Sequence, residues 1–250
     1  MKKNRILELW QNNKACINGW LSIPNSFTAE AMSKMGWDSI TIDMQHGLND
    51  YNTSISMLQA IANSNTVALT RVPWNEPGII MKMLDLGVMG IIAPMINTKK
   101  ECEDFVSYCN YPPRGQRSFG PMRAQLVYGS DYYDNANDQI ISLAMIETKE
   151  AVDNIDEILS VPGIDVLLVG PSDLSIELGV PLDYPCDTYQ QGLDKIASAC
   201  KNHGVVPGMY FIPPDMDPNF FVDKGFKFFT VPWAKWAIEG VQSGLTGINR

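Results

Sequence analysis

Short apolar runs recur along the chain, and each is followed by a longer stretch whose apolar positions return every three to four residues. Eight of these runs read as strands, at 17–23, 39–43, 67–72, 90–95, 141–147, 166–170, 206–211 and 226–231. Several are near-continuous hydrophobic text (SITID, GIIAPM, DVLLVG, FKFFTV), as parallel strands covered on both faces require. Between them, residues 26–35, 53–63, 77–86, 98–109, 149–159 and 187–202 carry helical spacing. This alternation predicts an α/β fold, a closed (β/α)8 TIM barrel occupying residues 1–250 as one domain. A doubly wound open sheet is the alternative, and it lacks the GxGxxG turn expected after its first strand. Two stretches break the rhythm. Residues 110–140, with YPPRGQRSFGPMR, exceed an ordinary helix-to-strand connection, and loops of such length serve function or interfaces. Residues 212–219 (IPPDMDPN) are too rich in proline for a helix and predict a loop above the seventh strand.

Barrel active sites lie at the carboxyl ends of the strands, which gives the search an address. There the second strand ends in Asp43 and runs into Met44, Gln45, His46 and Gly47. The third ends in Arg71, the fifth in Glu147, and the sixth in Gly170, Pro171, Ser172 and Asp173. Asp85 closes a helical pattern before the fourth strand. Glu147 and Asp173 top adjacent strands. Two carboxylates with few histidines nearby suit a hard divalent cation that keeps waters and takes substrate oxygens, whereas zinc calls for more nitrogen or sulfur. The plainer alternative is two solvated or salt-bridged acids. Asp173 could equally cap the helix that begins at LSIEL, leaving backbone N–H groups there to hold a substrate carboxylate. His46 suits a general base near neutrality, or else a cap at the edge of the core. His203, in KNHG, reads as a helix-end histidine before a glycine C-cap. Arg71 can hold a carboxylate or stabilise an oxyanion, or it can form a structural ion pair with an acid such as Asp43.

Composition narrows the partners. A formal charge of −9 and a pI near 4.7 argue against nucleic acid or an anionic membrane, which a negative surface repels. An acidic substrate then needs a local positive site, which adds weight to Arg71 and to a metal. Five cysteines form an odd set without a CxxC pair, which predicts free thiols in a reducing compartment. Cys102 and Cys109, seven apart, share a buried face of one predicted helix. MKKNRILELWQNNKAC has no apolar core of signal-peptide type, and no apolar run approaches the roughly 20 residues of a membrane span. A soluble, cytoplasmic protein is expected. Imine chemistry needs a desolvated lysine inside the barrel, and the only strand lysine, Lys227, lies at the wrong end. GxSxG is absent, and the loops after strands seven and eight lack the glycines of a phosphate cup, which favours an unphosphorylated substrate.

Four segments together cover about residues 19–180: GWLSIPNSFTAEAMSKMGWDSITIDMQHG, RVPWNEPGIIMKMLDLGVMGIIAPM, YPPRGQRSFG and IETKEAVDNIDEILSVPGIDVLLVGPSDLS. They resemble the HpcH/HpaI aldolase family, metal-dependent pyruvate aldolases that include 4-hydroxy-2-oxoheptanedioate aldolase and 2-dehydro-3-deoxyglucarate aldolase. The resemblance implies reversible cleavage of a 4-hydroxy-2-oxoacid to pyruvate and an aldehyde through a metal-stabilised enolate. By position, it implies His46 as base, Asp85 as the acid that raises its basicity, and Arg71 as the arginine that stabilises the transition state. Glu147 and Asp173 match the metal ligands, for Mg²⁺ or Mn²⁺, with Co²⁺ as a further choice. Ser172, beside Gly170, matches the residue whose backbone N–H helps bind the pyruvate carboxylate. The resemblance also implies a homo-oligomer, a hexamer of barrels, with residues 114–120 lining a neighbour's pocket. Three positions depart from the family's usual text: Gln45 stands where many relatives have Glu, Met145 where a substrate-contacting Gln is common, and VPWAKW at 231–236 replaces VGVDT-like text. Two other readings keep the barrel. One is a malyl or citramalyl thioester lyase, whose chains usually carry an extension not found here. The other is a binding protein that has lost turnover, for which Met145 and the 231–236 change give room.

Overall fold

The computed structural model describes residue 1, residues 3–232 and residues 234–246. Its eight parallel strands close into a barrel: β1 (Cys16–Leu21), β2 (Ser39–Asp43), β3 (Val67–Arg71), β4 (Gly90–Ala93), β5 (Ile141–Ile146), β6 (Val166–Val169), β7 (Val206–Met209) and β8 (Phe228–Val231). Neighbours in sequence are neighbours in the sheet, and β8 returns to pair with β1. This is the predicted (β/α)8 barrel. Most strands stop short of the apolar text that announced them, because that text runs on into the loops at the top. Residues 90–95, for example, form a strand only to Ala93, and Met95 turns the chain with a left-handed φ of 56°.

The expected helices form at Ser26–Ser33, Tyr51–Ile61, Pro77–Asp85, Lys99–Cys109 and Asp187–His203. Reciprocal side-chain caps at Asp50 and Thr98 satisfy the first orphan N–H groups of two of them. The predicted helix at 149–159 is two short ones, Lys149–Asp153 and Ile155–Leu159, meeting at Asn154. Residues 110–140 contain helices Met122–Tyr128 and Tyr132–Gln139. The proline-rich loop ends earlier than expected, since Pro218 opens the helix Pro218–Asp223, where its missing N–H is not needed. Cys102 and Cys109 are both buried on Lys99–Cys109, and His203 ends its helix before Gly204, whose φ is 71°. No described helix is long and apolar enough to cross a membrane.

Two cores result from the two faces of the strands. Outward side chains such as Ile40 and Ile42 pack under the helices with Leu58 and Ile61. Inward ones, including Trp20, Leu69, Ile92, Leu143, Leu168 and Phe228, fill the barrel. A helix that the hydrophobic pattern did not announce, Arg5–Gln11, closes the bottom. Ile6 is fully buried in the interior cluster, and the Trp10 indole donates to the carbonyl of Lys227 at 3.0 Å. Asn4 fixes that helix by accepting from the N–H of Ile6 and donating to the carbonyl of Gln139.

At the same end, Asp165 accepts the backbone N–H of Ser142 at 2.8 Å, and burial pushes its carboxyl up to about 6. A folded value above the ordinary 3.8 means that ionisation opposes folding. The penalty is absent below about pH 4, grows to about pH 6 and is constant above. With allowance for partial exposure it amounts to about 1–2 kcal/mol. Asp165→Asn keeps the acceptor and is expected to melt about 2–6 °C higher than the parent at pH 7.5. The two proteins should melt together at pH 4, and equal melting at both values would contradict the argument.

Candidate active site

Side chains alternate along a strand, so the residues two positions apart that fill the barrel also set what stands at its mouth. From Leu69 the inward face steps to Arg71, from Leu143 to Met145 and Glu147, and from Leu168 to Gly170. A pocket of about 230 Å³ opens there, lined by His46, Arg71, Met145, Glu147, Gly170, Ser172, Asp173 and Tyr210 among others.

Arg71 is the most constrained of these groups. It is 3% exposed, its Nε donates to Asp43 Oδ1 at 2.8 Å, and its Nη2 donates to Asp43 Oδ2 at 2.7 Å. Strand register makes this fork possible, because Asp43 and Arg71 face each other across β2 and β3. The guanidinium also lies 4.9 Å from the Trp20 ring centre and 5.2 Å from that of Tyr210. The ion pair and the pocket position therefore coexist. Nη1 is the nitrogen left free of Asp43, with Met145 Sδ at 3.9 Å. Burial alone would raise the Asp43 carboxyl, but Arg71, the Trp20 indole and the N–H of Gln45 hold it below its ordinary range. The N–H of His46 also points at Asp43 Oδ1, at 3.4 Å. That contact anchors the backbone of the His46 loop, while the imidazole itself is exposed at the pocket edge.

Glu147 follows β5 directly and is 3% exposed. Its Oε1 accepts the N–H of Met95 at 2.8 Å, a donor presented by the left-handed turn after β4. Burial pushes its carboxyl above the ordinary range and Asp173 pushes it further, while the Met95 N–H and Arg71 oppose this. A cation between the two acids would reverse that balance. Gly170 is what admits Glu147 here: a Cβ at 170 would come within 2.5 Å of Glu147 Oε2 and 2.9 Å of its Cβ. Asp173 lies in the first turn of the helix Pro171–Glu177, and Gly170 holds the cap position, so the alternative of Asp173 as N-cap is not what forms. The N–H groups of Ser172 and Asp173, in that first turn, have no intrahelical acceptor. Among the described residues no group of three or more His, Cys, Asp or Glu side chains gathers as a metal cage. A cation held by Glu147 and Asp173 would complete its shell with water and substrate oxygens, as hard divalent ions do.

Asp85 stands apart from this pocket. It ends the helix Pro77–Asp85 and accepts from Arg117 Nη2 at 2.8 Å. Arg117 is 2% exposed and is packed against Tyr111, 4.3 Å from its ring centre, with Nη1 donating to the Tyr132 hydroxyl. Within one chain, Asp85 thus ties down the 114–120 loop and does not touch His46. At Gln45 the side-chain oxygen is buried without a partner among the described residues. In the 231–236 stretch, Trp233 lies outside the described residues, and the Trp236 indole donates to the Trp20 carbonyl at 3.3 Å. Tyr210 was not singled out from the sequence. It is the first residue after β7, the same address that exposed Arg71 and Glu147, but without a charge to draw notice.

Comparison with known proteins agrees with this geometry. Residues 17–233 match the family model described as HpcH/HpaI aldolase/citrate lyase. A hydroxypyruvate/pyruvate aldolase of Rhizorhabdus wittichii is 46% identical over 176 residues, 70% of each chain. A 5-keto-4-deoxy-D-glucarate aldolase of Shigella boydii is 32% identical over 217 residues, covering 86% of this chain and 84% of that one. The crystal structure of an HpcH/HpaI aldolase/citrate lyase family protein from Burkholderia cenocepacia superposes with a TM-score of 0.89 at 28% identity, over 97% and 98% of the two chains. A barrel with two acids, an arginine and a histidine at its mouth, matched by that family's model over most of its length, belongs to the HpcH/HpaI aldolase/citrate lyase family.

Proposed function

We propose that the chain is a divalent-metal-dependent aldolase that cleaves a 4-hydroxy-2-oxoacid to pyruvate and an aldehyde, and runs the reverse addition. The observation that carries this reading is the buried Glu147 carboxylate, raised by burial and by Asp173, in one pocket with Arg71 and His46. The similarity to proteins named as keto-acid aldolases supports it. Glu147 and Asp173 hold the metal, Mg²⁺ or Mn²⁺, which when bound supplies a Lewis acid for the 2-oxo group.

The rest is the work of the chain itself. The unpaired first-turn N–H groups at Ser172 and Asp173 receive the substrate carboxylate. His46 takes the proton of the 4-hydroxyl, the C3–C4 bond breaks, and the aldehyde leaves. The electron pair of that bond moves into the enolate of the three-carbon fragment, whose oxyanion faces Arg71 Nη1. A proton delivered to C3 then gives pyruvate. Met145, apolar and 1% exposed, lines the pocket where a glutamine would offer a hydrogen-bond donor, so it presents the substrate with a sulfur and no such donor.

Exchange of the pyruvate methyl hydrogens for deuterium tests the reading without an aldehyde. With Mg²⁺ or Mn²⁺ in D₂O the methyl signal should decay in NMR spectra, and a chelator or His46→Ala should stop the decay. Persistence of the signal with metal present, or decay that ignores chelators, would sink it.

A further inference from the structure

We infer that the amino-terminal end of the barrel carries a second binding site, separate from the pocket at the mouth, for a small carboxylate with a benzene-sized apolar body. A cavity of about 140 Å³ lies there, between the N-terminal segment, the start of β3 and the helix Met122–Tyr128. Leu58, Ile61, Ala68 and Met89 give it an apolar wall, and Arg123 and Lys3 line it with positive charge. Its size is that of a dry aliphatic cavity of about 150 Å³ that takes up benzene.

The charge is what selects the ligand. The chain has 28 acidic residues against 19 basic ones, so a cation near its surface has acids to choose from. Arg5, at the same cavity, pairs with Asp38 at 2.9 Å. Among the described residues, Arg123 and Lys3 have no such partner. The Arg123 guanidinium donates to the carbonyl of Leu86, which leaves its net charge uncompensated. Burial depresses that guanidinium, and Tyr128 offsets part of the effect. A partly buried cation without a counter-charge is costly to keep, and an incoming anion recovers that cost. A neutral arene would fill the wall and leave both cations unpaired. A bare phosphate would meet the cations and leave the wall empty. A carboxylate on a six-carbon ring or a short branched chain satisfies both.

Benzoate is the probe. Titrated into the metal-loaded protein in the presence of pyruvate and followed by ligand-observed NMR, it should bind saturably, and pyruvate should not displace it. Benzyl alcohol should bind about 10-fold more weakly or worse, the share of a charge-assisted contact, and inorganic phosphate should not match benzoate. Arg123→Gln should weaken benzoate about 10-fold or more, and Lys3→Gln by a smaller factor. Lys3 is exposed and its replacement leaves the fold intact, so it decides the matter if Arg123→Gln is not recovered folded. No saturable binding, displacement by pyruvate, phosphate binding as tight as benzoate, or wild-type affinity in the folded variants would each overturn the inference.

Discussion

Arg71→Lys will lower turnover about 100-fold or more while the barrel stays folded. Lysine keeps a positive charge beside Asp43 but cannot reproduce the two-pronged grip at 2.8 and 2.7 Å and still present a further N–H to the pocket. The charge survives and the aim is lost. Arg71→Ala separates aim from charge, because it leaves Asp43 buried without its partner, at a cost of about 3–5 kcal/mol. That second loss depends on pH in a defined direction. Arg71 holds the Asp43 carboxyl below its ordinary 3.8, so the stability it supplies is present above that value and fades as pH falls through the folded-state value. The melting deficit of Arg71→Ala should therefore be largest near pH 7 and shrink toward pH 3. Turnover and melting curves of both variants check this. A folded Arg71→Lys enzyme with near-parental turnover would remove Arg71 from the proposed chemistry.

Gly170→Ala is expected to raise the apparent metal dissociation constant about 10–100-fold, with turnover at low metal falling in step. One methyl group is enough. Its position lies 2.5 Å from Glu147 Oε2, far inside contact distance, and Gly170 has φ −92° and ψ 95°, a conformation that alanine adopts without strain. The collision alone is the perturbation. Glu147 cannot retreat cheaply, since Met95 holds its other oxygen and the carboxylate is buried. Overpacking of this kind also costs about 1–3 kcal/mol of stability. Titration with Mn²⁺, followed by the paramagnetic signal of the free ion, measures the effect directly. Parental affinity in the variant would mean that Glu147 is not a metal ligand.

The barrel was legible because parallel strands covered on both faces leave unbroken apolar text, as in DVLLVG, and eight such runs alternate with helical spacing. The candidate site was legible to the extent that it is charged: alternation turns Arg71 and Glu147 inward at the ends of their strands, and Asp173 follows in the first turn of the helix after β6. What escaped is what carries no charge or no period. Tyr210 reads as one more apolar residue of the seventh strand. Arg5–Gln11 is a seven-residue helix whose burial depends on partners more than 200 residues away, such as Lys227. Asp43 could be suspected as a partner for Arg71, but its additional bonds to Trp20 and to the loop N–H groups follow from three-dimensional convergence. Asp85 shows the opposite case. The family resemblance, and nothing in its own sequence context, implied a partnership with His46, and within one chain its carboxylate is engaged by Arg117.

The helix at the floor of the barrel has a consequence for how the chain is made. Ile6 is made more than 200 residues ahead of its partners, since the cluster that buries it includes Phe228 and the acceptor of Trp10 belongs to Lys227. Arg5–Gln11 must wait, undocked, until β8 has emerged, so the ring and its stopper are completed in the same late event. Nascent chains halted before residue 228 should accordingly present this stretch to chaperones.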